Sequence, residues 1–196
     1  MKISPLLLLS LACLSPPGFA QDGTPPDLAV ALAETKKTAL PLLPKVVGAM
    51  QAAVAAKGAA GAIPVCRVEA PTLLQAMRQQ TGWEIRRVSL KTRNPATGTP
   101  DAWEVRQLAD FNIRAANGEK PEQIEVSAVI DEGGGKRSLR YMKALPTAPV
   151  CLQCHGPAES LGEDLRQSLA RDYPDDRALG YAAGQVRGAL SVRRPL

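Results

Sequence analysis

The sequence predicts an α+β fold: an antiparallel β-sheet flanked by helices, with an N-terminal helical segment. Three observations carry this. The first third of the chain repeats apolar residues at helical spacing. The middle interleaves a helix with residues that alternate with period two. A run of three glycines then joins the best-matched pair of strands. Neither an internal repeat nor a shift in composition divides the 196 residues, so 27–196 reads as one domain.

The chain opens on an export signal, residues 1–20. Lys2 supplies the positive start, Leu6 to Leu14 the apolar stretch, and Gly18-Phe19-Ala20 the small-x-small cleavage site. The apolar run is too short to span a bilayer, and no later stretch is expected to reach the ~20 residues a span needs. The mature protein is therefore expected in the periplasm without a transmembrane segment. Residues 21–26 form a polar linker.

Asp27 is placed to cap a helix from Leu28 onward. Pro41 and Pro44 interrupt it, and Pro44 suits the first turn of a second segment. Leu43, Val46, Val47, Met50 and Val54 keep helical spacing until Lys57-Gly58 signals a stop. Residues 58–62 read as a loop, and a short helix runs from about Pro71 to Gln80. At Trp83 the period changes to two: Trp83, Ile85 and Arg87 alternate with Glu84, Arg86 and Val88, which marks a strand. Asp101 caps a helix carrying Trp103, Leu108 and Phe111, and Asn117-Gly118 ends it. Ile124, Val126, Ala128 and Ile130 form a strand, Gly133-Gly134-Gly135 turns the chain, and Leu139 and Tyr141 return it. A helix over 161–171 and a closing strand through Val186, Gly188, Leu190 and Val192 complete the order.

Between the hairpin and the closing strand stands Cys151-Leu152-Gln153-Cys154-His155. This is C-x-x-C-H, the attachment signature of c-type haem, and His155 is the only histidine in the chain. Cys151 and Cys154 would add across two vinyl groups, and the histidine that follows would meet the iron. Three rivals share the residues. A thioredoxin-type dithiol belongs early in a βαβ unit, whereas this motif is late. A zinc site would need Cys66 as its fourth ligand. A plain disulfide would leave His155 without a role. One covalently attached haem c accounts for all three residues.

The other ligand of the iron remains open on these grounds. With one histidine, bis-histidine ligation is excluded. Cys66, Met142, Met50, Met77, a lysine or a vacant position are the alternatives. Methionine would raise the potential, while a thiolate would stabilise ferric iron. Cys66 is the odd thiol once the leader's Cys13 and the motif pair are set aside, which is unusual in an oxidising compartment. Arg67 beside it is placed to lower its pKa. The net charge of +5 suits solubility, and export argues against a nucleic-acid partner. Arg86, Arg87, Lys91 and Arg93 lie close together and are candidates to neutralise haem propionates. Alternation on one strand lets only one of Arg86 and Arg87 face them, and Arg87 is preferred.

Cys66, Arg87 to Pro95, Pro100-Asp101-Ala102-Trp103-Glu104, Tyr141-Met142-Lys143, Cys151 to Gly156, Tyr173-Pro174, Gly180-Tyr181 and Gly188 to Val192 together resemble a family. It is that of the exported single-haem domains once catalogued as a domain of unknown function. The resemblance spans roughly residues 60–193. It implies a PAS-like fold with one c-type haem, and it implies His155 and Cys66 as the two iron ligands. Such domains occur alone and as the sensing part of histidine kinases and chemoreceptors. The segment Ala96-Thr97-Gly98-Thr99 is about one residue longer than the family pattern, and no output domain is evident. The expected function is therefore redox sensing or electron transfer through a separate redox partner or signalling protein, with a diatomic gas as a further ligand. A passive subunit of a larger redox complex is the alternative. Catalysis is not expected, because two filled iron faces leave a substrate no place.

Overall fold

Among the described residues, helices fill 26–81 and the four strands all follow. The computed structural model describes residues 26–196, so the predicted leader and all but the last residue of the linker lie outside the described residues. Helices α1 (Pro26–Ala39) and α2 (Leu42–Gly61) lead into a π-helical turn at Val65–Glu69 and then α3 (Ala70–Thr81). Strand β1 (Glu84–Val88), the one-turn α4 (Pro95–Gly98) and α5 (Ala102–Ala116) follow. Strands β2 (Glu125–Gly133) and β3 (Lys136–Pro146) form the hairpin. The one-turn α6 (Leu152–His155), α7 (Glu163–Asp172) and β4 (Val186–Pro195) end the chain.

The strands pair in the order β1-β4-β3-β2, every neighbour antiparallel. This is the α+β, PAS-like arrangement expected, with the last strand inserted between the first and third. Val192 lies opposite both Ile85 and Tyr141. A strand with neighbours on both edges and layers on both faces is buried along most of its length, and β4 is buried from Val186 to Val192.

Period two sorts the core into two layers. Ile85, Tyr141, Leu190 and Val192 pack under Ala39 and Leu42, with Leu73, Leu74 and Met77 of α3 beside them. Val88, Met142, Ala144, Val186 and Ala189 face the other way, against Leu108 and Phe111 of α5. A third cluster joins Ile63 to Leu161, Leu165, Leu169 and Tyr173, with Cys154 on its edge.

Polar contacts fasten the flanking helices. Asp101 and Glu104 form a reciprocal capping box on α5. Glu104, 1% exposed, also accepts from Arg86 (2.5 Å) and Ser191 (2.6 Å) and pairs with Arg140 at 3.3 Å. At the opposite face, α1 is held by the Lys36–Glu125 pair and by Arg194, which donates to Ala31 O and to Glu34 (2.8 Å each).

The N-terminal region departs from expectation in four ways. Asp27 sits in the first turn of α1 instead of capping it. Residues 58–61 continue α2 past a kink at Gly58 (φ 71°, ψ 177°), a conformation glycine permits, so the helix bends where a loop was expected. The apolar stripe of α2 does not all face inward: Leu42 is buried, but Val47 is 44% exposed. By length and composition, Asp27–Gly61 does reach spanning length, with mean hydropathy 1.4 in its best window. That stretch is bent at Leu40-Pro41, and Ala31, Ala39 and Leu42 within it are buried in the protein.

Candidate functional site

Leu152 to His155 form one helical turn, α6, with Cys151 as its N-cap residue, which sets Cys151 and Cys154 three positions apart. Gly156 then lets the chain leave: a Cβ there would meet Leu152 O at 2.6 Å. His155 is clamped on its backbone, where its carbonyl accepts from Tyr181 N (2.9 Å) and that of Gly156 from Gly180 N (2.8 Å). On its side chain, Nδ1 lies 2.7 Å from Ala178 O. A carbonyl only accepts, so Nδ1 carries the hydrogen and Nε2 presents its lone pair. Burial drives the His155 pKa far below its ordinary value, and Arg187, Arg93 and Arg87 add to the effect. The ring is thus neutral and oriented, as metal ligation requires. The Tyr181 ring meets it edge-on, with centroids 6.3 Å apart and planes at 80°.

Three free thiols share this site. Cys151 and Cys154 are half-buried and Cys66 is exposed. Cys66 arrives on the π-helical turn, an irregularity that widens the helix and often marks functional positions. Burial raises the Cys154 pKa, Arg93 opposes this, and the charges of Cys66 and Cys151 reinforce it. Cys66 and Cys151 likewise act on Arg87. The fold therefore brings Cys66 beside the motif. Among the described residues no three of the His, Cys, Asp and Glu side chains converge closely enough to hold a bare metal ion, so the Cys3His zinc reading lacks its geometry.

Arg86 and Arg87, neighbours in sequence, part company here. Arg87 faces the site. It is open to water, yet protein crowds its guanidinium enough that desolvation lowers its pKa, against the opposing pull of Cys66 and Cys151. Arg86 is turned to α5 and bound to Glu104, so it is spent on structure and corrects the expectation that it serves the site. Met142 is corrected in the same way. It is fully buried among Leu108, Phe111 and Ala189, on the sheet face away from Arg87. Arg67, expected to act on Cys66, donates to Asp172 (2.7 Å) and ties the π-helical turn to the end of α7.

Arg93 bonds Asp176 (2.9 Å) and the Cys154 carbonyl, bridging the motif to the 173–180 loop. Sequence reading missed Arg187 and the structural part of Tyr181. Arg187 is 4% exposed and donates to Ser89 Oγ (3.0 Å) and Lys91 O (3.3 Å). Its guanidinium lies 5.1 Å from the Tyr181 ring centre, and Lys91 Nζ lies 4.3 Å from it. The signal was the Gly180-Tyr181 pair before a strand that begins Val186-Arg187-Gly188. Beyond Tyr181 lies an open groove of about 920 Å³ between α5 and residues 180–188. Ser89, Lys91, Gly180 and Tyr181 line it, so it borders the His155 site.

A family model described as Tll0287-like matches residues 24–195. Among solved structures, the crystal structure of the cyanobacterial heme-protein Tll0287 superposes with a TM-score of 0.62 at 20% identity, covering 88% of this chain and 97% of that one. None of the curated proteins compared is a match. That resemblance in fold agrees with the sheet and helices described above, and with nearly the whole described chain inside the family model, the protein belongs to the Tll0287-like family.

Proposed function

We propose that this chain is an exported c-type haem protein of the periplasm, with one covalently held haem, acting in redox sensing or electron transfer. The observation that carries the reading is the meeting of one oriented, neutral imidazole with two free motif thiols and the distant Cys66. The similar heme-protein Tll0287 supports it.

The residues present fit the group. Cys151 and Cys154 would hold it, the S–H of each adding across one vinyl group to give a thioether with no atom lost and no oxidant needed. Bound haem supplies one-electron exchange at iron. The chain does the rest. His155 offers Nε2 because Ala178 O holds Nδ1. Cys66 would hold the iron through its sulfur, and a thiolate there would favour the ferric state. Arg87 places a cation for a propionate. Arg93 and Asp176, both under a tenth exposed, pin the motif loop so that the imidazole keeps its aim. Such a site takes up and releases electrons without binding a substrate, so a separate redox partner or signalling protein reads its state. A diatomic gas would enter where Cys66 leaves.

Expression in a host with c-type maturation tests this. The purified protein is expected to be coloured, to give a pyridine haemochrome of c type, and to weigh the processed polypeptide plus one haem. A colourless protein at the bare polypeptide mass contradicts the reading.

A further inference from the structure

Val186 and Ala189 both face α5 although they are three positions apart, and the pairing of β3 with β4 steps from Leu145–Gly188 to Pro146–Val186. Arg187 is thus the extra residue of a β-bulge, a device that re-aims a side chain. Gly188 makes the bulge possible. Its φ is +152°, and a Cβ there would lie 2.4 Å from Val88 O. The bulge swings Arg187 away from the α5 layer and toward Tyr181 and His155.

What it delivers is a buried guanidinium without a counter-charge. Among the described residues neither Arg187 nor Arg87 has a carboxylate within ion-pairing distance, and Arg187 Nε is buried with no hydrogen-bond partner. Asp176, the acid whose charge reaches Arg187, is already bonded to Arg93. Burying a cation with an idle donor is costly unless an anion completes it. Arg140 Nε on the other face also lacks a partner, but Arg86 and Arg140 have their carboxylates there, so the charge deficit is local.

We propose that Arg187, aimed by the Gly188 bulge, is a positioning residue that joins Arg87 in seating the carboxylates of the haem and so sets its potential. This rests on the haem reading above. A planar guanidinium matches a carboxylate through two parallel bonds, and the bonds Arg187 donates within the protein use Nη1 alone. Inorganic phosphate would satisfy the same donors, so the test separates the two.

The test uses the holoprotein and the variants Arg187→Gln, Arg187→Lys and Arg87→Gln, with the midpoint potential followed from about pH 5 to 8. The wild type is expected to hold a nearly constant potential, because the paired carboxylates stay ionised. In Arg187→Gln the lost cation lowers the potential. The freed carboxylate then titrates within the range, so the potential falls further as pH rises. Arg187→Lys keeps the charge but loses the fork, and is expected to keep most of the potential while gaining the slope. If Arg187→Gln does not fold, Arg187→Lys and Arg87→Gln carry the test. Wild-type potential and pH profile in all folded variants would overturn the proposal. So would inorganic phosphate binding to the holoprotein that Arg187→Gln abolishes while the potential stays unmoved. Absence of a pyridine haemochrome in the wild type removes the haem reading first, and this proposal with it.

Discussion

The two faces of the sheet treat positive charge in opposite ways. Toward α5, Arg86 and Arg140 converge on Glu104 and Asp101, with Ser191 and the Asp101 backbone completing the shell. Toward His155, Arg87 and Arg187 stand with no carboxylate in reach among the described residues. The cluster toward α5 is balanced and carries structure, while the Arg87 and Arg187 cluster is left short of an anion even though other cations on its side are paired. Two adjacent arginines on one strand, Arg86 and Arg87, fall on either side of that division. Alternation turns them apart, and charge partners then decide what each one does.

Breaking the balanced face is expected to have the largest effect. Glu104→Gln leaves Arg86 and Arg140 buried without their shared charge and costs about 3–5 kcal/mol. Urea denaturation measures it, and the folded fraction should keep the wild-type haem spectrum. Unchanged stability would mean that the network is idle. Gly188→Ala attacks the hinge between the faces. The clash with Val88 O costs about 1–3 kcal/mol, and because Arg187 moves with the bulge, the potential should shift as well as the denaturation midpoint.

A smaller effect appears in acid. Burial raises the pKa of Asp101 and of Glu125, but Asp101 is overruled by the Glu104 N–H and by Arg140, and Glu125 by Lys36 and Tyr141, so both end below the usual carboxylate range. The unfolded chain then binds protons more readily than the folded one. Their stabilisation is present above about pH 4 and is lost as pH falls through the folded values. Glu125→Gln should flatten the acid limb of a stability–pH curve while leaving the Asp101 share in place. Met142→Leu sharpens the comparison most gently. It is expected to cost under about 1.5 kcal/mol and to leave the haem spectrum untouched, because that side chain only fills the α5 layer.

Much of this was legible in the chain. The hairpin announced itself through alternation and three glycines, and all three of those glycines adopt positive φ. The α5 cap was readable because Asp101 and Glu104 are local partners. The lone histidine after two cysteines is what points to the haem proposed above. The N-terminal region was harder to read because its alanines and glycines carry little periodic contrast, so a kinked helix looked like a loop and the π-helical turn before α3 was not foreseen. Met142 and Arg86 were misplaced as site residues because the face a strand residue takes depends on partners far away in sequence. Arg187 was hidden for a similar reason. A bulge leaves no mark in composition beyond one glycine, and the clash that demands this glycine involves Val88, a hundred positions earlier.

The division between the faces is tested most directly by the ferric spectra of Cys66→Ala and Met142→Leu, taken as holoproteins by absorption and EPR. The account predicts that Cys66→Ala loses the wild-type low-spin signature and that Met142→Leu keeps it. A low-spin spectrum unchanged in Cys66→Ala and abolished in Met142→Leu would contradict it.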